Sequence, residues 1–246
     1  MVKILNLVLY CDDVNYNNMY NILSNYYKNF DNVKTYFYKF NNTIENDIEL
    51  INDVLNFKGT ETMIPGILDK TLKAFKYIEK EFEDYDYVIR SNISSIIDFK
   101  LLSIELEKTP VIYYGGTLIM NLQWLDNSAG IVDNRYFNTF FASGTNIIIS
   151  KKGYKLLLDN INLIDRTIID DVAIGILFKL INIYHTNMLP NKFFCVPILN
   201  NINQINYLIE KEYIVYRNRN DADRNIDTKQ MKIITDLLSK KYLQNT

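Results

Sequence analysis

The chain has 246 residues, and its 48% hydrophobic and 23% charged content is ordinary for a globular protein and excludes a disordered chain. Its 27 basic and 29 acidic residues leave a net charge of −2, which gives no indication of a nucleic-acid partner or an anionic membrane surface. The longest apolar runs fall far short of the roughly 20 residues of a membrane span, and two distant cysteines, Cys11 and Cys195, do not make a disulfide framework.

The first predicted elements form a βαβ unit. Ile4–Tyr10 is a nearly continuous apolar run, typical of a strand buried on both faces. Because the chain enters this run without the regions of a signal peptide, we expect a cytoplasmic protein. Apolar residues at helical spacing follow over Met19–Tyr27, and Val33–Tyr38 alternates like a strand. Strand, helix and strand at these lengths predict a parallel strand pair.

Later segments continue this alternation of strands and helices. A loop with Pro65-Gly66 is predicted at about 60–70, and a strand over Val111–Tyr114 is expected to stop at Gly115-Gly116. The other predicted elements are a helix over Leu72–Phe82, strands at Tyr87–Ile89 and Asn146–Ser150, and helices near Tyr154, over Asp170–Lys179 and near Met231. We predict one α/β domain over residues 1–246, with a core of about 1–205 and a helical appendage of about 206–246.

Polar residues that follow the predicted strands are the first candidates for a binding site. Open α/β sheets bind ligands outside the carboxyl ends of their strands. The segments in that position are Asp12-Asp13, Ser91–Ser95, Gly115-Gly116 and Ser143–Thr145. We therefore expect a ligand near these segments.

The turn at Gly144 and the acidic pair Asp170-Asp171 admit two interpretations. A glycine turn allows the backbone to approach a ligand closely, and adjacent carboxylates suit a general base or a metal ligand. The same residues also suit an ordinary turn and the first turn of a helix, where acidic side chains complement the helix dipole. Spacing alone leaves both interpretations open.

Several motifs, in order, resemble the β-1,3-glycosyltransferases of the Fringe and galactosyltransferase type, carbohydrate-active family 31. The last sequence motif of that family begins with a tyrosine or phenylalanine, followed by Ala/Ser-Ser-Gly-Gly and a hydrophobic strand that ends in Ser. Further along the chain come Glu/Asp-Asp-Val and then Gly. The segments that carry the resemblance are Phe140–Ser150, Ile169–Gly175, Glu61–Leu72, Asp84–Arg90, Tyr113–Gly116 and Trp124. The likeness spans roughly residues 4–185.

The resemblance implies a GT-A-like fold, that of nucleotide-diphospho-sugar transferases, with a mixed, mostly parallel sheet flanked by helices. It implies an inverting glycosyltransferase that moves a sugar from a nucleotide-diphosphate donor, expected to be a UDP-sugar, to a glycan or protein-linked acceptor. Asp171 would be the base, and Asp170 would raise the proton affinity of Asp171 or orient the acceptor. The expected donor-binding residues are Tyr10, Lys70, Arg90, Ser91, Asn92, Ser94 and Gly144. The expected acceptor or sugar contacts are Trp124, Gly116 and Ser143.

One departure from the family concerns the metal. Where the family has an Asp-x-Asp that holds Mn²⁺ or Mg²⁺ and the donor diphosphate, this chain has Asn92-Ile93-Ser94, which brings no anionic oxygen. Three alternatives stay open: cationic side chains neutralise the diphosphate, another carboxylate holds the metal, or the protein is an inactive sugar- or nucleotide-binding relative. The candidate cations are Arg90, the first choice, with Lys70, Arg217, Arg219 and Arg224. The candidate metal ligands are Asp12, Asp13, Asp98 and His185.

The composition suggests a source for the chain. It contains 35 Ile, 32 Asn, 21 Lys and 19 Tyr residues, all encoded by A/T-rich codons. This skew predicts an A/T-rich genome, such as that of a giant virus or of an A/T-rich protist.

Overall fold

A computed structural model describes residues 1–187, 192–199, 202–220 and 222–243. The strands are β1 (Ile4–Leu9), β2 (Val33–Asn41), β3 (Ile48–Ile51), β4 (Val54–Lys58), β5 (Tyr87–Asn92), β6 (Ser95–Ile97), β7 (Tyr114–Gly116), β8 (Ile119–Asn121), β9 (Phe140–Ala142), β10 (Ile147–Ser150), β11 (Thr186–Asn187), β12 (Phe193–Val196) and β13 (Val215–Asn218). The helices are α1 (Val14–Tyr27), α2 (Gly66–Ile78), α3 (Phe99–Lys108), α4 (Lys151–Asp159), α5 (Asp170–Leu180), α6 (Ile202–Glu210) and α7 (Arg224–Leu243).

The main sheet has eight strands in the order β11-β7-β10-β5-β1-β2-β4-β3. The strands β5, β1, β2 and β4 run parallel at its centre, and β10 lies antiparallel between β5 and β7. From β1 the chain moves through β2 to β4 on one side, and α2 then returns it to β5 on the other side of β1. The strand order therefore reverses between β1 and β5, which is where such sheets bind ligands.

Helices cover both faces of this sheet, as the apolar run of β1 predicts. Leu5 and Leu7 pack into a core with α2, α4 and α5, whereas Ile4 and Val8 pack with α1, α3, α6 and α7. All four side chains are fully buried. The predicted α/β architecture, with its mixed and mostly parallel sheet, is confirmed.

Two predicted boundaries were wrong. The strand expected at Val111–Tyr114 is β7, Tyr114–Gly116, so the two glycines lie within the strand. A Cβ at Gly115 would stand 2.2 Å from the carbonyl oxygen of Thr186, so glycine lets β11 pair closely there. The loop expected at 60–70 is half helix, because α2 begins at Gly66.

The segment after residue 205 contributes a strand as well as helices. β13 pairs with β12 and, in antiparallel register, with β6, which directly follows the carboxyl end of β5. The helix α7 packs against α1 and buries Met231, Ile234 and Leu238. This pairing brings Arg217 opposite Ser95. Residues 221 and 244–246 of the predicted appendage lie outside the described part. Within that part, no helix is both long and apolar enough to cross a membrane.

Candidate active site

A cavity of about 460 Å³ opens where the strand order reverses, at the carboxyl ends of β1 and β5. Leu9 of β1 and Asn92 of β5 are register partners at this edge. The start of α2, the start of α5 and β13 complete the wall. The residues singled out in the sequence that line this cavity are Tyr10, Lys70, Arg90, Asn92, Ser94, Gly144, Asp170, Asp171 and Arg217. The volume is that of a typical small-molecule site.

Arg90 is a buried cation whose charge is balanced within the protein. It is only 2% exposed, and its Nη2 lies 2.7 Å from the Oδ2 atom of Asp170. Its Nη1 donates to the carbonyl of Gly144 at 2.5 Å and to Oδ1 of Asn92 at 2.6 Å. Burial disfavours the charge, but the adjacent Asp170 carboxylate keeps the pKa of Arg90 raised. Arg90 therefore joins β5 to α5 and to the turn at Gly144.

Asp170 is fixed from two further elements. Thr71 of α2 donates from Oγ1 to Oδ2 of Asp170 at 3.0 Å, and the hydroxyl of Tyr38 on β2 lies 2.9 Å from the same Thr71 oxygen. All three side chains are buried. The Lys-Thr pair of the resemblance thus supplies a hydrogen bond to the first acidic residue. Asp170 is held in place by its neighbours.

Asp171 lies half-buried at the cavity wall and has backbone partners. Its Oδ2 accepts from the amide of Gly144 at 2.9 Å, and its Oδ1 accepts from the amide of Val172 at 2.9 Å. Burial and the adjacent charge of Asp170 raise the pKa of Asp171 to about 6, although Arg90 and the two amides act in the opposite direction. A carboxylate with this pKa is deprotonated at neutral pH and more basic than an ordinary aspartate, as a general base requires.

The turn between β9 and β10 brings position 144 close to two side chains of the site. A Cβ there would stand 2.5 Å from Nη1 of Arg90 and 3.3 Å from Oδ2 of Asp171. The backbone of Gly144 donates to one of these side chains and accepts from the other. The turn therefore positions the cation and the base relative to each other.

Lys70 is a second buried cation on the cavity wall. Its Nζ lies 2.5 Å from Oε2 of Glu61 and donates to the carbonyl of Tyr10 at 2.8 Å. Burial lowers the pKa of Lys70, while the charge of Glu61 opposes this effect. Glu61 itself accepts from the amide of Phe40 through Oε1 at 2.9 Å. This pair connects the loop before α2 to the end of β1.

The side chains at the family's metal position do not fit a divalent cation. Oδ1 of Asn92 accepts from Arg90, and Oγ of Ser94 accepts from Nη1 of Arg217 at 2.5 Å. Both oxygens are neutral, and each lies in contact with a guanidinium group that repels a metal ion. Within the described residues, no three His, Cys, Asp or Glu side chains are grouped to hold a metal.

Comparisons with known proteins identify the fold. No protein-family model and no curated protein sequence matches the chain. A solved structure does match: the "crystal structure of a glycosyltransferase involved in the glycosylation of the major capsid of PBCV-1", with a TM-score of 0.54 and 10% sequence identity, covering 94% of this chain and 99% of that one. At this identity the likeness concerns the fold. The chain has a GT-A-like glycosyltransferase fold.

Within this GT-A-like fold, other sequence-predicted residues lie away from the cavity lining. Ser91 is buried beneath it, with Oγ 3.5 Å from Oδ1 of Asn6. Gly116 lies in β7, and Ser143 accepts a hydrogen bond from Thr145 beside the turn. Trp124 is 39% exposed and packs against Phe141, with 6.2 Å between ring centroids.

The candidate metal ligands Asp12, Asp13, Asp98 and His185 also lie outside the cavity lining. Asp13 caps α1, and Asp98 caps α3 and accepts from the hydroxyl of Tyr242. Asp12 pairs with Lys39 at 2.6 Å. His185 stacks on Phe140 at 5.3 Å between ring centroids, and burial lowers the pKa of His185. The structure gives each of these side chains a local partner.

Several residues of the cavity lining were not predicted from the sequence to be site residues. They are Leu9, Cys11, Tyr16, Glu61, Thr62, Met63, Ile67, Ile93 and Ile169. Arg217 was predicted only as one of several candidate cations near the C-terminus. Glu61, Thr62, Met63, Ile67 and Ile169 lay inside segments that resemble the family, so that resemblance was an available signal. Arg217 carried no local signal, because only the pairing of β13 with β6 brings it to the cavity.

Proposed function

We propose that this protein is an inverting glycosyltransferase that moves a sugar from a nucleotide-diphosphate donor, a UDP-sugar, to a hydroxyl of a glycan or protein-linked acceptor. The observation that carries the proposal is Asp171, a carboxylate of raised pKa on the wall of a cavity at the strand reversal of a GT-A-like sheet. The order of motifs in the sequence supports the kinship with the Fringe and galactosyltransferase type.

In the proposed reaction Asp171 acts as the general base. It takes the proton of the acceptor hydroxyl while that oxygen attacks the anomeric carbon, and the bond from this carbon to the diphosphate breaks on the opposite face. The nucleoside diphosphate leaves with the electron pair, so the configuration inverts. Such a base contributes about 10²- to 10⁴-fold, and alignment of donor and acceptor adds more.

The surroundings of Asp171 suit this role. The Gly144 amide holds one carboxylate oxygen without neutralising it, and the ion pair of Arg90 with Asp170 fixes the start of α5. In the described part of the chain, no cation forms an ion pair with Asp171. The carboxylate therefore stays available as a proton acceptor.

An alternative function is that of a binding protein that keeps the fold and has no turnover. The observation that favours it is the replacement of metal-binding carboxylates by Asn92 and Ser94, whose oxygens contact guanidinium groups. Under this alternative a nucleotide sugar binds the cavity and is released unchanged.

One experiment distinguishes the two functions. The protein is screened by thermal shift against a panel of UDP-sugars, with and without Mn²⁺, and the donors that raise the melting temperature are then incubated with glycan acceptors. Release of UDP together with a mass increase of the acceptor supports the transferase. Stabilisation by a donor without hydrolysis or transfer supports the binding protein. If no nucleotide sugar shifts the melting temperature, both functions are wrong.

A further inference from the structure

One cation of the cavity wall is not balanced by a carboxylate. Arg217 of β13 donates from Nη1 to the hydroxyls of Ser94 at 2.5 Å and Ser95 at 3.3 Å. In the part of the chain that the structure describes, no carboxylate lies within 4 Å of its guanidinium, and its Nε and Nη2 have no hydrogen-bond acceptor. By contrast, the other cavity cations, Arg90 and Lys70, are each paired.

The neighbourhood makes this uncompensated charge costly in the free protein. Arg217 is half-buried, and burial, together with the charges of Arg219 and Arg224, lowers the pKa of Arg217 to about 10. Arg224 is itself paired with Asp227 at 2.5 Å, so it does not supply the missing negative charge. A guanidinium in such a place is stabilised by an anion that brings paired oxygen acceptors.

We infer that Arg217, held beside Ser94, binds the diphosphate of the donor directly, at the position where the resemblance places the second aspartate of a metal-binding motif. This inference rests on the proposed function. The charge balance agrees with it: two aspartates and a divalent ion sum to zero, whereas Asn92, Ser94 and Arg217 sum to +1. The substituted site thus keeps at least as much positive charge for a diphosphate, and its cation comes from the C-terminal segment.

Arg217 and the proposed base, Asp171, have different hydrogen-bond partners. Arg217 is hydrogen-bonded to Ser94, which follows β5, whereas Arg90 is bonded to Asp170 and to the Gly144 turn beside Asp171. A diphosphate on Arg217 therefore leaves the carboxylate of Asp171 free for the acceptor. The planar guanidinium can donate to two phosphate oxygens through Nε and Nη2 as charge builds on the leaving group.

The test measures binding of inorganic pyrophosphate, UDP and uridine by calorimetry, in EDTA, to the full chain. We expect Arg217→Gln to weaken pyrophosphate and UDP binding about 10- to 100-fold, because charge-assisted hydrogen bonds are lost. Uridine has no phosphate, so its affinity should be unchanged. Arg217→Lys keeps the charge and loses the planar fork, and we expect an intermediate effect. Arg135→Gln, which removes an exposed arginine outside the cavity lining, is the matched control.

The outcomes are distinct. Equal affinity of wild type and Arg217→Gln for pyrophosphate overturns the inference, as does binding that requires Mn²⁺. If Arg217→Gln does not fold, Arg217→Lys decides: UDP affinity equal to wild type overturns the inference, and a selective loss of pyrophosphate and UDP affinity supports it. The proposed function fails separately. If pyrophosphate binding depends on Arg217 but no sugar is transferred, the anion site is supported and the proposed transferase function is wrong. If sugar is transferred equally well without Arg217, the transferase function is supported and the anion site is wrong.

Discussion

Two arginines face the same cavity, and their surroundings differ. Arg90 comes from the central strand β5, is fully buried and is bonded to a carboxylate, a carbonyl and an amide. Arg217 comes from β13, which pairs with β12 and β6 outside the main sheet, is half-buried and contacts two serine hydroxyls. The same side chain is thus a structural cation on one wall and a candidate ligand-binding cation on the other. The difference lies in whether the protein itself supplies the negative charge.

The largest effect is expected when the charge of Arg90 is removed. We expect Arg90→Met to destabilise the fold by about 3–5 kcal/mol, because the carboxylate of Asp170 is left buried without its partner. Urea denaturation measures the effect. The double variant with Asp170→Leu removes both charges and should be less destabilised than Arg90→Met alone. Arg135→Met, at an exposed ion pair, is the control and should be nearly neutral. A neutral Arg90→Met would show that Arg90 is not structural.

The second prediction concerns the base next to that ion pair. Asp171→Asn keeps the size of the side chain and removes its proton affinity, so we expect at least about a 10²-fold loss of transfer with donor binding retained. Steady-state transfer assays and donor calorimetry measure the two effects. Asp159→Asn, at the exposed end of α4, is the matched control. Unchanged turnover in Asp171→Asn would move the base elsewhere, and Asp170 would be tested next.

The third prediction tests the turn that connects the cation and the base. We expect Gly144→Ala to destabilise the fold by about 1–3 kcal/mol, because its Cβ would lie 2.5 Å from Nη1 of Arg90. Transfer should fall as well, since the amide contact to Asp171 shifts. A double-mutant cycle with Arg90→Lys measures the coupling, and the two effects should be less than additive. Strict additivity would show that the clash with Arg90 is not the cause.

The wall that contains Arg90 and Asp171 was largely predictable from the sequence. Local periodicity gave β1, α1 and β2, and Asp170 does begin α5 as predicted. The family resemblance placed Asp171, Lys70 and Gly144 in one site, and all three line one cavity. Their roles in catalysis stay predictions. The ion pair itself was not predictable, because only the folded structure brings Asp170, at the start of α5, next to Arg90 of β5.

The wall that contains Arg217 could not be derived from local patterns. The hydrogen bond between Arg217 and Ser94 spans 123 residues of sequence. The strand that carries Arg217 has four residues, Val-Tyr-Arg-Asn, without a clear alternation of apolar and polar side chains. Pairing of such a short strand depends on its partners β6 and β12 more than on its own sequence.

The last prediction uses pH to separate the role of Asp171 in catalysis from its effect on stability. The pKa of Asp171 is about 6 in the folded protein and about 3.9 in an unfolded chain. Because folding raises this pKa, protonation of Asp171 favours the folded state. Its stabilising contribution is complete below about pH 4 and is lost as the pH rises through 6. Transfer behaves in the opposite way, since the base must be ionised, so it should fall about tenfold per pH unit below 6.

Asp171→Asn has no such titration, and this makes the prediction measurable. The stability of Asp171→Asn relative to wild type should increase between pH 4.5 and pH 7.5 by about 1–2 kcal/mol, a value that allows for partial exposure of the carboxylate. Urea denaturation at the two pH values gives the difference, and Asp159→Asn, at an exposed position, is measured alongside as the control for the substitution itself. A difference that stays constant with pH would mean that the Asp171 carboxylate titrates normally. Arg90 and Asp170 would then position Asp171 without raising its basicity. Only the position of Asp171 in the cavity would then support its role as the general base.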